Sequence, residues 1–345
     1  MRALHIGSRL VGDGHPAYLV AEVGSNHDQD LDKAFRLIDA AAEAGVDAVK
    51  FQTFKASEHY SRRTPGFSYL NNTDTFSLIE SLELDRTWQP RLLERANLRG
   101  IDFFSSPCDF EALAELDNLG VPVHKLASFD LPDTTLVRAM ARTGKPIVLS
   151  TGMASWMDIQ QALDVMAEES NDQVILLQCT SLYPAPARLA NLRAMASMRQ
   201  AFGTLVGYSD HTMGEHVALA AIALGACFIE KHFTLDRTSA GPDHPFAIEP
   251  HELTSMVRHI REVESSLGDG RKTGPRAEEQ EMALKGRRSL HARADIPAGK
   301  VISDADLSVK RPGLGIMPAL RDHVVGRRAA RPIEVDEWIT WDMLA

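Results

Sequence analysis

Cysteine is scarce in this chain: Cys108, Cys179 and Cys227 are the three among 345 residues. They show neither paired zinc spacing nor the density of a disulfide scaffold, so a reducing, cytoplasmic setting is expected. Long apolar runs are missing, and no window reaches the length that a membrane span needs. The first ten residues contain Arg2, His5 and Arg9 but no extended apolar core, so no secretory signal is read there. Positive charge is also in deficit, with 37 Lys and Arg against 47 Asp and Glu, a formal net charge of −10. A nucleic-acid surface needs an excess of cations on one face, so none is expected. A glycine-rich phosphate loop is absent as well. The first apolar run is followed by Val23-Gly24-Ser25-Asn26, which does not match the fingerprint of an open doubly wound sheet.

What the sequence does contain is alternation. Short apolar or β-branched runs fall at 18–22, 48–54, 102–108, 123–128, 146–151, 174–181, 205–211 and 228–234. Between them lie stretches with helical periodicity, such as 31–44, 89–98, 110–119, 134–142, 156–168 and 216–224, several ending at glycine. Eight β–α alternations within about 265 residues predict an α/β fold of the TIM (β/α)8 barrel type. The predicted barrel covers 1–266 and is followed by a linker at 267–285, rich in Gly, Lys, Arg and Glu. Residues 286–345 read as a small second domain with short strands and turns, near the lower size limit for independent stability.

Barrel enzymes carry their chemistry where the strands end, and every predicted strand here delivers a polar group to that end. Lys50 and Lys125 stand out. A strand lysine commonly snorkels outward, but two of them, accompanied by Ser106, Ser128 and Ser209, suit a phosphate and a carboxylate. A Schiff-base lysine is the competing reading. His211 and His232 end adjacent strands, so their imidazoles can converge on one divalent ion and leave positions open for water and substrate. Glu22 ends an apolar strand. It is either an ion-pair partner of Lys50 or a general base tuned by it.

These residues sit in recognisable motifs. AEVGSNHDQDLDKAFRLIDAAAEAGVDAVKFQTFK, FFSSPCD, KLASFD, GKPIVLSTGMAS, CTSLYPAP, GYSDHT and IEKHFTLDRTSAGPDH resemble, in order and spacing, the N-acetylneuraminate (sialic acid) synthase family. ARADIPAGKVISDADLSVKRPGLG resembles the antifreeze-like (SAF, β-clip) domain that closes those synthases. The resemblance implies condensation of phosphoenolpyruvate with an acylated amino sugar, a divalent metal (Mn2+ or Mg2+), and a domain-swapped homodimer. Position by position, it implies that Glu22, Lys50 and Tyr183 are catalytic. Lys50, Ser106, Lys125, Ser128, Ser181 and Ser209 would contact phosphoenolpyruvate; Gln52, Asn72, Asp130, Tyr183, Asp243 and Arg311 would contact the sugar. His211 and His232 would hold the metal, and Arg311 would arrive from the antifreeze-like domain of the partner chain.

Two departures bear on the sugar. Sialic acid synthases proper tend to read GSGE where this chain has Ala127-Ser128-Phe129-Asp130, and asparagine where it has Ser181. The motifs are closest to the pseudaminic acid and spore-coat-polysaccharide branch. The expected acceptor is therefore a 6-deoxy diacetamido hexose, with N-acetylmannosamine or a legionaminic acid precursor as alternatives. Outside that class, a carbohydrate-binding module without catalysis is the rival reading.

Overall fold

Each of the eight apolar runs forms a strand, because β-branched and aromatic side chains pack well on a pleated surface. In the computed structural model, residues 2–67 and 73–345 are described; Asn72, an expected sugar contact, lies outside them. A short hairpin comes first, β1 (Ala3–Ile6) with β2 (Arg9–Gly12). The eight strands that follow are β3 (Tyr18–Gly24), β4 (Ala48–Thr53), β5 (Asp102–Pro107), β6 (His124–Leu126), β7 (Ile147–Ser150), β8 (Val174–Cys179), β9 (Leu205–Asp210) and β10 (Phe228–His232). They are parallel, in the order β5-β4-β3-β10-β9-β8-β7-β6, and β5 lies against β6 to close the ring. The result is a TIM-type barrel. Its strands are buried on both faces, as a parallel sheet covered by helices requires.

Eight helices follow the eight strands: α1 (Leu31–Ala44), α2 (Gln89–Leu98), α3 (Phe110–Leu119), α4 (Thr134–Arg142), α5 (Trp156–Glu168), α6 (Arg193–Phe202), α7 (His216–Ala223) and α8 (Pro250–Leu267). Asp30, Asp109 and Asp133 cap the starts of α1, α3 and α4 by accepting backbone N–H groups. Gly45 and Gly120 end α1 and α3 at φ of 86° and 82°, a region that favours glycine. The hairpin, α6 and α8 have no counterpart in the sequence reading. Seven of the eight barrel strands are shorter than predicted, and β3 alone runs on, to Gly24; 123–128, for example, contracts to His124–Leu126. Its polar end leaves the ladder in a 3-10 turn, Ser128–Asp130, at the cavity mouth. No described helix is long and apolar enough to cross a membrane.

The chain divides into two units, Met1–Gly268 and Asp269–Ala345. In the second, β11 (Ser289–Ala292) pairs antiparallel with β12 (Leu307–Lys310) over a small core that includes Leu290, Ile302, Ile316 and Ile339. Residues 269–285 group with this unit. The helix Gln280–Gly286 packs beneath the turn after Arg311, where Gly313 N donates to the Leu284 carbonyl at 2.7 Å. A Cβ at Gly313 would come 2.9 Å from Arg287 Cβ, which explains glycine there.

His124 on β6 faces the helix layer and is 0% exposed, with neither ring nitrogen hydrogen-bonded. Burial lowers its pKa from 6.5 to about 4. Between those values the unfolded chain binds a proton that the folded chain refuses, so stability rises with pH. Stability should therefore be complete above about pH 6.5, fall by about 1.4 kcal/mol per pH unit from this one group as pH drops, and level off below pH 4. Denaturant titrations at several pH values, compared with His124→Leu, should show a shallower acid slope in the variant; an identical slope would contradict the assignment.

Candidate active site

Period-two alternation decides what enters the barrel. Lys50 and Gln52 on β4, Lys125 on β6, Ser209 on β9, and Glu230 and His232 on β10 line a cavity at the C-terminal ends of the strands. Glu22, Ser106, Ser128, Asp130, Tyr183 and His211 complete the set of predicted residues brought together there. The intervening side chains point outward. Lys231 is one: it is buried, 2.8 Å from Asp210 Oδ2 and bonded to the Thr212 carbonyl, outside the cavity.

Lys50 and Lys125 are each 2% exposed, so neither snorkels. Lys50 Nζ lies 2.8 Å from Glu22, 3.1 Å from Ser106 Oγ and 3.8 Å from Glu230. Lys125 Nζ lies 3.8 Å from the other Glu230 oxygen. Two cations thus share a buried site with two carboxylates. Burial disfavours the Lys50 charge, but Glu22 and Glu230 outweigh it and hold its pKa above the usual range. Burial, aided by the charge of Lys50, lowers Lys125. The carboxylates divide in the same way. Burial raises Glu22, with Lys50 opposing and Glu230 adding to the rise. Glu230, between both lysines, is lowered against the opposite pull of burial. Glu22 is therefore the member of the cluster suited to taking and giving a proton.

Strand β3 supports this placement. It pairs Glu22 with Lys50, then slips so that Gly24 faces Phe51, a bulge that re-aims the strand end. Gly24 has φ +54°, and a Cβ there would lie 3.2 Å from Asp243 Oδ2 and 3.3 Å from Gln52 Nε2. Gln52 in turn donates to Glu22 at 2.7 Å.

The imidazole rings of His211 and His232 are 5.3 Å apart, and Tyr183 packs 4.4 Å and 6.1 Å from them. His211 Nδ1 donates to the Thr180 carbonyl at 2.8 Å, which leaves Nε2 with its lone pair in the neutral ring. His232 Nδ1 is a buried nitrogen without a hydrogen-bond partner, 3.5 Å from Asp243. Burial opposes charge on His232, yet Asp243 and Glu22 raise its pKa. Paired imidazoles, an orphaned buried nitrogen and flanking carboxylates make a donor set that fits a divalent ion. Ser150 Oγ and Glu230 Oε2 are also buried without hydrogen-bond partners.

Other predicted residues fall differently. Ser181 does not line the cavity; its hydroxyl and that of Ser128 both approach Gly152 so closely that a Cβ there would collide with them. Asp243 stands behind His232. Arg311 belongs to the second unit, where it lines a separate hollow with Lys272, Met282 and Arg287. His27 and His244 are buried and structurally employed. His27 Nδ1 accepts from Gln29 N, while His244 bonds Thr234 Oγ1 at 2.7 Å and Asp28 at 2.9 Å. Glu230 and Ser150 are cavity residues that the sequence reading did not select. For Glu230 a signal existed: it lies two residues before His232, on the same face of the strand.

Two family models match the chain: the NeuB family over residues 37–272 and the SAF domain over 287–345. An N,N'-diacetyllegionaminic acid synthase of Campylobacter jejuni is 39% identical over 328 residues, covering 93% of this chain and 98% of that one. A pseudaminic acid synthase of the same species is 34% identical, covering 92% and 93%. Among solved structures, an N-acetylneuraminic acid (sialic acid) synthetase from Leptospira borgpetersenii superposes with a TM-score of 0.74 at 35% identity, over 81% of this chain and 94% of that one. With a family model matched across most of the barrel and such identities sustained over nearly the whole length, the chain belongs to the NeuB family.

Proposed function

We propose that the chain condenses phosphoenolpyruvate with an N-acylated amino hexose, releasing phosphate and forming a nonulosonic acid, and that the acceptor is a 6-deoxy diacetamido hexose. The observation that carries the reaction is the buried pair Lys50 and Lys125, facing a cavity that Ser106, Ser128, Ser209 and the paired histidines also line. The diacetamido acceptor is supported by the Campylobacter jejuni relative, a synthase of an N,N'-diacetyl sugar acid, and by Phe129-Asp130 at the cavity mouth.

In this reading the lysines and serines neutralise and orient the carboxylate and phosphate of the enol. His211 and His232 would hold a manganese or magnesium ion, which when bound supplies Lewis-acid polarisation of the sugar carbonyl. C3 of phosphoenolpyruvate bonds to the aldehyde carbon of the open-chain sugar, and the carbonyl oxygen gains a proton. Water adds at C2 as Glu22 takes its proton. The C2–O bond then breaks, phosphate leaves with the electron pair and takes up the proton of the C2 hydroxyl, and a ketone remains at C2; the proton on Glu22 balances the one gained by the sugar oxygen. Gln52, Tyr183 and Asp130 border the sugar; Asp243, behind His232, and Asn72 are proposed for the same role from the resemblance.

The proposed assembly is a swapped homodimer in which Arg311 of one chain reaches the barrel of the other. The two units differ in charge: the barrel unit carries 23 Lys and Arg against 35 Asp and Glu, the second unit 14 against 12. Exposed Phe129, Met153, Leu182 and Met213 ring the barrel mouth on four successive loops, and the second unit exposes Met282, Leu284, Leu314 and Met317.

The test is phosphate release from phosphoenolpyruvate with a panel of acylated amino sugars, with and without chelation. Activity should appear with a diacetamido sugar, vanish on chelation and return with manganese or magnesium. Higher efficiency with N-acetylmannosamine would overturn the acceptor, and no release with any sugar would favour a binding module. Gly152→Ala probes the anion site. Its Cβ would come 2.3 Å from Ser181 Oγ and 2.8 Å from Ser128 Oγ, so one serine must move. The expected results are a loss of about 1–3 kcal/mol in stability, as for other overpacked sites, and a raised KM for phosphoenolpyruvate. An unchanged KM would remove Ser128 from that site.

A further inference from the structure

We propose that His59, Cys108 and Asp130 form a binding site for a soft divalent ion such as zinc, at the mouth of the cavity and built from residues other than His211 and His232. One ligand atom from each lies within 4.8 Å of the others. The three come from loops on consecutive strands: His59 ends the short helix Ala56–His59 after β4, Cys108 follows β5, and Asp130 ends the turn after β6. All three line the cavity and are half-buried, so an ion can reach them.

The geometry is close to what zinc needs. Ligand distances of 2.0–2.3 Å place neighbouring donors roughly 3.3–3.8 Å apart, and His59 Nδ1 lies 4.0 Å from Asp130 Oδ1. Closing that gap takes about 0.7 Å, and no pair of the three donor atoms, all within 4.8 Å of one another, needs more than about 1.5 Å, which rotation of loop side chains supplies. The donors are available. Cys108 makes only a long contact, 3.8 Å, to the Ser106 carbonyl, and among the described residues the one ion pair of Asp130 is with His59. Thiolate and imidazole select zinc or cobalt over magnesium, which prefers oxygen ligands. Binding converts the Cys108 thiol to a thiolate, forms the metal–sulfur bond and releases one proton to solvent. Three protein ligands leave one position open.

If Asp130 borders the sugar, as the proposed function holds, zinc here excludes the acceptor. That consequence rests on the proposed function; the binding itself does not. The experiment titrates metal-free full-length protein with cobalt(II) and follows the thiolate-to-cobalt charge-transfer absorption. The band should appear in wild type, disappear in Cys108→Ala and Cys108→Ser, and weaken in His59→Gln. It should persist in Cys179→Ala and in His211→Ala. No thiolate band in wild type, or a band that survives Cys108→Ala, overturns the proposal. A band lost in Cys179→Ala instead would place the ion beside His211, with the same effect. In the activity arm, zinc should inhibit phosphate release in competition with the sugar, and Cys108→Ala should remove that sensitivity. Inactivity with every sugar would sink the synthase reading while leaving the cobalt result standing.

Discussion

Lys50→Met should lower phosphate release by roughly two to three orders of magnitude or more and destabilise the barrel by about 3–5 kcal/mol. Both effects come from one change. Lys50 is the only described cation within ion-pair distance of Glu22, at 2.8 Å, and it shares Glu230 with Lys125. Without it, two buried carboxylates are left with one lysine between them, and one must take up a proton or the strands must part. The stability loss therefore says little about catalysis by itself. A second substitution separates the two. Lys50→Met with Glu230→Gln removes one charge of each sign and leaves Glu22 and Lys125 as the remaining opposite charges of the cluster, so part of the stability should return. Activity should not return, because the enol phosphate still lacks its cation. Chemical denaturation and single-turnover phosphate release on wild type, the single variant and the double variant provide the readouts. Recovery of both quantities in the double variant would show that Lys50 is structural, and the anion site would then rest on Lys125 alone.

Mixing two crippled chains should restore activity. Arg311→Ala and Glu22→Ala are each expected to be nearly inactive. In a swapped dimer, a mixed pair holds one barrel with Glu22 intact, served by a second unit with Arg311 intact. The other barrel lacks both. Random co-folding at equal amounts makes half of the dimers mixed, each with one working site of two, so about a quarter of wild-type activity should return. If Arg311 served its own barrel, every site would lack one residue and the mixture would stay at the level of its parts. Arg311 stands on the turn that Gly313 anchors to the Leu284 carbonyl. Gly313→Ala should therefore lower activity in the same complementation group as Arg311→Ala, and failure to do so would detach the turn from the site.

Much of the site was legible in the sequence, and the reason is local. Side-chain direction along a strand has a period of two, so Lys50 with Gln52, or Ser209 with His211, had to share a face wherever the strand ended. The spacing of apolar runs predicted eight parallel strands, and the motifs placed Glu22, Lys125, His211 and His232 at their ends. The same rule could have selected Glu230 from His232. Glu230 stands among the polar groups at the strand ends, but its role between two lysines depends on Lys50 and Lys125, which lie on other strands.

The sequence by itself determined the family, the alternation of strands and helices, and which residues ride together on each strand, because backbone geometry and short-range packing settle these within a few residues. Only the tertiary structure decided which face is inside. Lys50 and Lys231 both sit on apolar strands; closure of the ring turns one into the cavity against Glu22 and the other outward against Asp210. It also brought together Gly152, Ser128 and Ser181, placed Asp243 behind His232, and gathered His59, Cys108 and Asp130 from three loops. These contacts span long stretches of chain, and no local pattern encodes them. They follow from the barrel closing, which brings the ends of distant strands to within a few ångströms and strips them of water, so that each charge must meet a partner or a ligand.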